Sequence, residues 1–199
     1  QRFEMSDTIK SAYERALERA EKIEVPGDKL KELQYLPEGA KLAATFLKEE
    51  RFDLAKAIAG FGDDVRKYIY KGAQETLLNN IVLPRTPRSK TETKRAMDGL
   101  IAMKKDKSKL TQVIGKIDSL IAYYERTKQQ AYDNLKKEFE AALRQAMQQQ
   151  QIGVRQQNPR VDAEMQGEFQ IKWREVSSRL DMDFENNLNG LKKEVERIS

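Results

Sequence analysis

The chain has 199 residues, neither cysteine nor histidine, and a net charge of +5 from 37 basic and 32 acidic residues. That composition excludes disulfides, thiolate nucleophiles, imidazole bases and Cys/His zinc sites. With 39% hydrophobic and 35% charged residues, it suits long helices with narrow apolar stripes better than a thick core.

No stretch approaches the ~18 apolar residues of a membrane span, and no charged-then-apolar leader opens the sequence. The expectation is a soluble, cytoplasmic protein, and the lack of cysteine fits a reducing compartment. Met5-Ser6-Asp7 reads as a natural start, which makes Gln1 to Glu4 an added remnant.

Ser6 or Asp7 caps a first helix, with Ile9, Ala12, Tyr13, Ala16, Leu17, Ala20 and Ile23 on one face. Val25-Pro26-Gly27-Asp28 ends it. A short helix over Asp28 to Tyr35 follows, and Pro37 then opens another that runs to Glu49. From Ala40 to Phe61 the pattern predicts a tight helix pair. Leu42, Ala43, Phe46 and Leu47 face Phe52, Leu54, Ala55 and Ile58 across Glu49-Glu50-Arg51. Phe46, Phe52 and Ala55 resemble three anchors of a tetratricopeptide unit, but no second copy follows, so the pair reads as an ordinary helical hairpin. Gly60-Phe61-Gly62-Asp63-Asp64 breaks the chain, and a helix carrying Val65, Tyr68, Ile69, Ala73, Leu77 and Leu78 runs to Asn80.

Residues 84–90, Pro-Arg-Thr-Pro-Arg-Ser-Lys, read as a linker, and Thr91 as the cap of a connecting helix. From Lys107 onward two long stripes dominate. The first comprises Leu110, Ile114, Ile117, Ile121, Tyr124, Ala131, Leu135, Phe139, Ala142 and Ala146, with Lys128 the one station out of place. After a break at Gly153 and Pro159 the second runs Met165, Phe169, Trp173, Val176, Leu180, Phe184, Leu188, Leu191, Val195 and Ile198. Two arms of ~50–65 Å joined by a short turn predict an antiparallel helical hairpin. Facing residues should have numbers summing to roughly 313, give or take a turn, which sets Phe169 near Arg144 and Trp173 near Glu140, with nearly straight packing. Gln145 to Gln157 holds seven glutamines and reads as a solvated tip.

The fold class predicted is therefore all-α. A small N-terminal helical subdomain (6–83) leads through a basic linker and connecting helix (84–106) to a long, coiled-coil-like antiparallel hairpin (107–199) with its tip near 152–161.

Catalytic signals are absent from this reading. Gly60-x-Gly62 lacks the third glycine and the preceding strand of a phosphate loop, and Asp181, Asp183 and Glu185 read as a solvated helix face rather than a metal site. No catalytic, cofactor-binding or metal-ligating residue is expected, and no cofactor. Charge is the strongest local signal. Residues 84–109 hold Arg85, Arg88, Lys90, Lys94, Arg95, Lys104, Lys105, Lys107 and Lys109 against Glu92, Asp98 and Asp106. Such a segment can meet phosphates or an acidic partner by counterion release. On this reading Lys104 and Lys105 are surface residues whose joint reversal to glutamate would leave the melting temperature nearly unchanged.

Two stretches, Ser6-Asp-Thr-Ile-Lys-Ser-Ala-Tyr-Glu-Arg-Ala-Leu-Glu-Arg-Ala-Glu21 and Phe169-Gln-Ile-Lys-Trp-Arg-Glu-Val-Ser-Ser-Arg-Leu180, resemble a family of uncharacterised bacterial all-helical proteins. The resemblance implies an all-α bacterial cytoplasmic protein and brings no activity or site with it. The sequence thus points to a non-enzymatic helical scaffold or adaptor acting through an unidentified protein partner. Self-association would help its long arms bury their stripes. The alternative is a nucleic-acid-associated protein binding phosphates through residues 84–109.

Overall fold

The computed structural model describes residues 27–149 and 159–198. The helix expected over residues 7–23 and the turn between the long arms lie outside them, as does most of the glutamine-rich segment. The described residues form six helices and no strand: α1 (Gly27–Lys48), α2 (Leu54–Ala59), α3 (Asp63–Asn79), α4 (Pro87–Met103), α5 (Lys107–Gln149) and α6 (Pro159–Arg197). The chain is all-α.

α1 is one helix where the sequence predicts two. Pro37 stands inside it, forgoing the amide bond back to the Leu33 carbonyl, a loss of ~3 kcal/mol for an interior proline. Close packing on α3 offsets this. Asp28 accepts from the Tyr68 hydroxyl at 2.8 Å, Lys71 meets Glu32, and Lys31 meets Asp64 at 2.9 Å. Farther along α1 the backbones touch. A Cβ on Gly39 would lie 2.0 Å from the Ile69 carbonyl oxygen, and one on Gly72 2.0 Å from that of Leu36. Only glycine lets the helices approach so closely, and this crossing carries α1 through its proline.

Asp53 caps α2 by accepting from the Lys56 amide at 3.0 Å. Leu54 and Ile58 then face Ala43 and Phe46 in the core. Ala55 is exposed, so the tetratricopeptide-like anchor is not one.

The expected linker is shorter than its composition implies. Thr86 caps α4, its hydroxyl accepting from the Ser89 amide at 3.1 Å, while Ser89 Oγ accepts from the Thr86 amide at 3.1 Å. Pro87 occupies the first turn, where its missing N–H costs nothing. Residues 87–90 are therefore helical, and Thr91 is inside the helix. The remaining connection, residues 80–86, is held by the buried Thr93 hydroxyl, which accepts from the Val82 amide and donates to the Val82 carbonyl, both at 3.1 Å. α4 ends at Met103, and α5 starts as a separate helix at Lys107, with Asp106 accepting from the Lys109 amide at 3.1 Å.

α5 and α6, 43 and 39 residues long, run side by side. Lys116 meets Glu194, Tyr124 meets Asp181 and Phe139 meets Phe169, so the helices are antiparallel. One core runs from Ala43, Phe46, Ile69 and Leu77 through Leu100 to Leu110, Ile117, Tyr124, Phe184, Leu188 and Val195.

Candidate functional site

The nine basic residues do not form one open patch. Arg95 is half-buried: its guanidinium lies 3.9 Å over the Phe46 ring and donates to the carbonyls of Phe46, Glu49 and Glu50 at the end of α1. It caps the negative end of that helix. Lys104 is 2% exposed, donates to the Ile198 carbonyl and lies near the Tyr70 ring. Burial pushes its ammonium below the ordinary 10.5, and the Glu196 charge only partly opposes this. Lys104 is thus a core residue, contrary to the surface placement expected from sequence.

Four more are paired at the surface. Arg85 reaches Glu185 at 2.9 Å and Asp181 at 3.7 Å, Lys90 reaches Glu125 at 2.8 Å, Arg88 reaches Glu92 at 2.8 Å and Lys109 reaches Asp106 at 3.0 Å. Lys94, Lys105 and Lys107 are exposed and, among the described residues, lack an ion pair.

Lys128, the residue out of place on the first stripe, meets Asp181 on α6. Its Nζ donates to Asp181 Oδ1 at 2.8 Å and to the Tyr124 hydroxyl at 2.7 Å, and that hydroxyl donates to the same carboxylate oxygen at 2.7 Å. The side chains of Lys128 and Asp181 are 28% and 19% exposed. Asp181 is therefore a bonded cross-helix group, not the solvated carboxylate expected from sequence. Burial pushes its carboxyl up, but hydrogen bonds from Lys128 and Tyr124, with the charges of Lys128 and Arg85, hold it below the ordinary 3.8.

This polar clasp marks a boundary. On its base side Leu110, Ile117, Ile121 and Tyr124 are buried, as are Phe184, Leu188 and Val195. On its far side Leu135 is buried, whereas Tyr132, Phe139, Leu143, Phe169, Trp173, Val176 and Leu180 are half-buried. The aromatic rings there meet edge to face. Tyr132 packs on Trp173 at 5.1 Å and on Phe169 at 5.5 Å, and Phe139 packs on Phe169 at 5.3 Å. Stripe counting sets Trp173 beside Glu140 and Phe169 beside Arg144; instead Trp173 meets Tyr132, about two turns nearer the base, and Phe169 lies between Phe139 and Tyr132, about one to three turns nearer. An open groove of about 430 Å³ runs between Pro84, Tyr124, Lys128, Tyr132 and Trp173.

The reason for the boundary is coverage. α4 and the 80–86 connection lie against the base of the arm, through Lys90 to Glu125 and Arg85 to Glu185. Beyond them, among the described residues, the two-helix ribbon has one layer only. The sequence displays both stripes but not where their cover ends.

Comparisons with curated proteins and with solved structures found no match. A family model does match: that of a family of unknown function, DUF6657, over residues 55–197. The matched region includes the Phe169–Leu180 stretch on which the resemblance partly rests, and leaves out the opening one. The chain belongs to the DUF6657 family.

Proposed function

We propose that this chain is a non-enzymatic helical scaffold or adaptor of the cytoplasm, working through protein–protein contacts made by the coiled-coil-like α5–α6 arm. The observation that carries this reading is the change of burial at the Lys128–Asp181 clasp. Beyond it an apolar, aromatic-rich stripe continues, and among the described residues no second layer covers it. Half-covered apolar surface of this kind, rimmed by charge, marks interaction sites. Among the described residues no helix is long and apolar enough to cross a membrane, so a bilayer-spanning role for the arm has no support.

The test is affinity capture from the native host with the full chain and two variants. Phe139→Lys should lose a specific partner, while Lys94→Glu, away from the arm, should keep it. Loss with Lys94→Glu alone would move the working surface to the basic segment.

The alternative, phosphate binding through residues 84–109, is supported by the exposed Lys94, Lys105 and Lys107. With so few uncommitted cations the salt dependence should be shallow. Binding to a random duplex at about 50 and about 200 mM salt measures that slope directly.

A further inference from the structure

We propose that the far half of the arm is a self-association surface, on which two copies of this chain pack to complete a four-helix bundle. This rests on the scaffold reading and names a partner for it.

Two observations carry it and a third bounds its strength. The first is geometric. A pair of antiparallel helices with one apolar stripe each is half of a four-helix bundle, and a second pair supplies the missing layer. Near the base α4 and the 80–86 connection supply such cover, and Tyr124 and Phe184 are buried. Farther out the stripe continues in kind, yet Phe139, Phe169 and Trp173 remain half-buried. The open groove beside Tyr132 and Trp173, about 430 Å³, is room into which side chains of a second arm fit.

The second is charge. Residues 131–145 carry three basic and three acidic side chains, and residues 166–179 three basic and two acidic. Several are already paired along their own helix, as in Arg179 with Glu175 at 3.4 Å and Lys136 with Glu140 at 3.9 Å. A nearly neutral surface of mixed sign tolerates its own copy. A strongly acidic or basic partner needs an excess of one sign, and the chain keeps its excess in residues 84–109 instead.

The third is size. Fifteen residues of each helix give a face of roughly 22 Å by 20 Å, and roughly 440 Å² falls short of the ~800 Å² per partner of a standard stable interface. The dimer is therefore concentration-dependent, which suits a scaffold that assembles on demand.

Sedimentation of the full chain between about 1 and about 300 µM tests this. The weight-average mass should rise with concentration from 23.0 kDa toward twice that value. Phe139→Lys should hold it at the monomer value, and Tyr123→Lys, at the base, should not. A wild-type mass constant throughout overturns the proposal while leaving capture of another protein to judge the scaffold reading. A rise that Phe139→Lys does not reduce also overturns it, because the contact then lies elsewhere. Should Phe139→Lys lose helicity, the absence of native cysteine allows a gentler measurement. Lys136→Cys and Ser108→Cys change only exposed positions, one flanking the stripe a turn beyond Tyr132 and one at the base. A bismaleimide should give several-fold more covalent dimer with Lys136→Cys, and equal yields would refute the arm contact.

Discussion

Lys128 Nζ and Asp181 Oδ1 meet 2.8 Å apart across α5 and α6, with the Tyr124 hydroxyl closing the triangle. A polar pair set into an apolar seam has one good partner in one register, and sliding either helix by a turn leaves a partly buried charge alone. Replacing either residue by alanine should therefore lower stability, and a double-mutant cycle should give a coupling of about 1.5–3 kcal/mol. A coupling near zero in chemical denaturation would show that the pair is incidental to the register.

The same pair sets a pH dependence. The Asp181 carboxyl titrates below its ordinary 3.8 in the folded chain, so the unfolded chain holds the proton more tightly. Its contribution is complete above the unfolded value and is lost as pH falls through the folded one. Stability of the wild type should decline below about pH 3.8 more steeply than that of Asp181→Asn, which starts lower at neutral pH. Urea melts at closely spaced acid pH values would reveal the difference in slope.

At the α1–α3 crossing, Gly39→Ala or Gly72→Ala would drive a methyl group to 2.0 Å from a backbone carbonyl oxygen. The backbones must part, at about 3 kcal/mol or more. Gly115 and Gly190 lie inside α5 and α6 with open space where a Cβ would stand, and alanine there should stabilise by about 0.5–1 kcal/mol. Thermal melts of the four variants should split into these two groups.

Lys104 and Lys105 are neighbours with opposite fates. Lys104→Glu places a carboxylate beside the Ile198 carbonyl and near Glu196, and should cost about 3–5 kcal/mol. Lys105→Glu, on the surface, should stay within about 0.5 kcal/mol. Because burial lowers the Lys104 ammonium from 10.5, its charge costs stability at neutral pH, and that cost is relieved as pH rises toward the unfolded value. Denaturant melts of the two single variants at neutral pH would separate them.

Trp173, the sole tryptophan, reports on the arm. Being half-buried, it should lose about 1–2 kcal/mol on conversion to alanine, less than the ~3–5 kcal/mol of a fully enclosed ring. Its fluorescence should be quenched by iodide in the dilute chain.

Periodicity makes the helices legible, because an apolar stripe at 3.6-residue spacing has one economical use. It also separates α3 from α4 and the base from the arms. Pro37 misleads because the contact that overrides it, Gly39 against the Ile69 carbonyl, lies thirty residues away. Thr86 and Thr91 are equally good caps by type, and the Pro87 beside Thr86 is the usable clue. The basic residues are visible as a cluster, but Arg95 and Lys104 are spent on the carbonyls of Phe46 and Ile198, partners no local pattern can name. Lys128 is the anomaly on its stripe, and it is the residue that joins the two helices through Asp181.

The bond from Lys104 to Ile198 spans 94 positions of the chain, and it orders events during synthesis. Helices α1 to α4 can gather as they leave the ribosome, yet the ammonium at the α4–α5 junction has no carbonyl to meet until the end of α6 has emerged. A nascent chain halted before that point carries an unsealed lysine at the α4–α5 junction, which closes only when the end of α6 folds back against it.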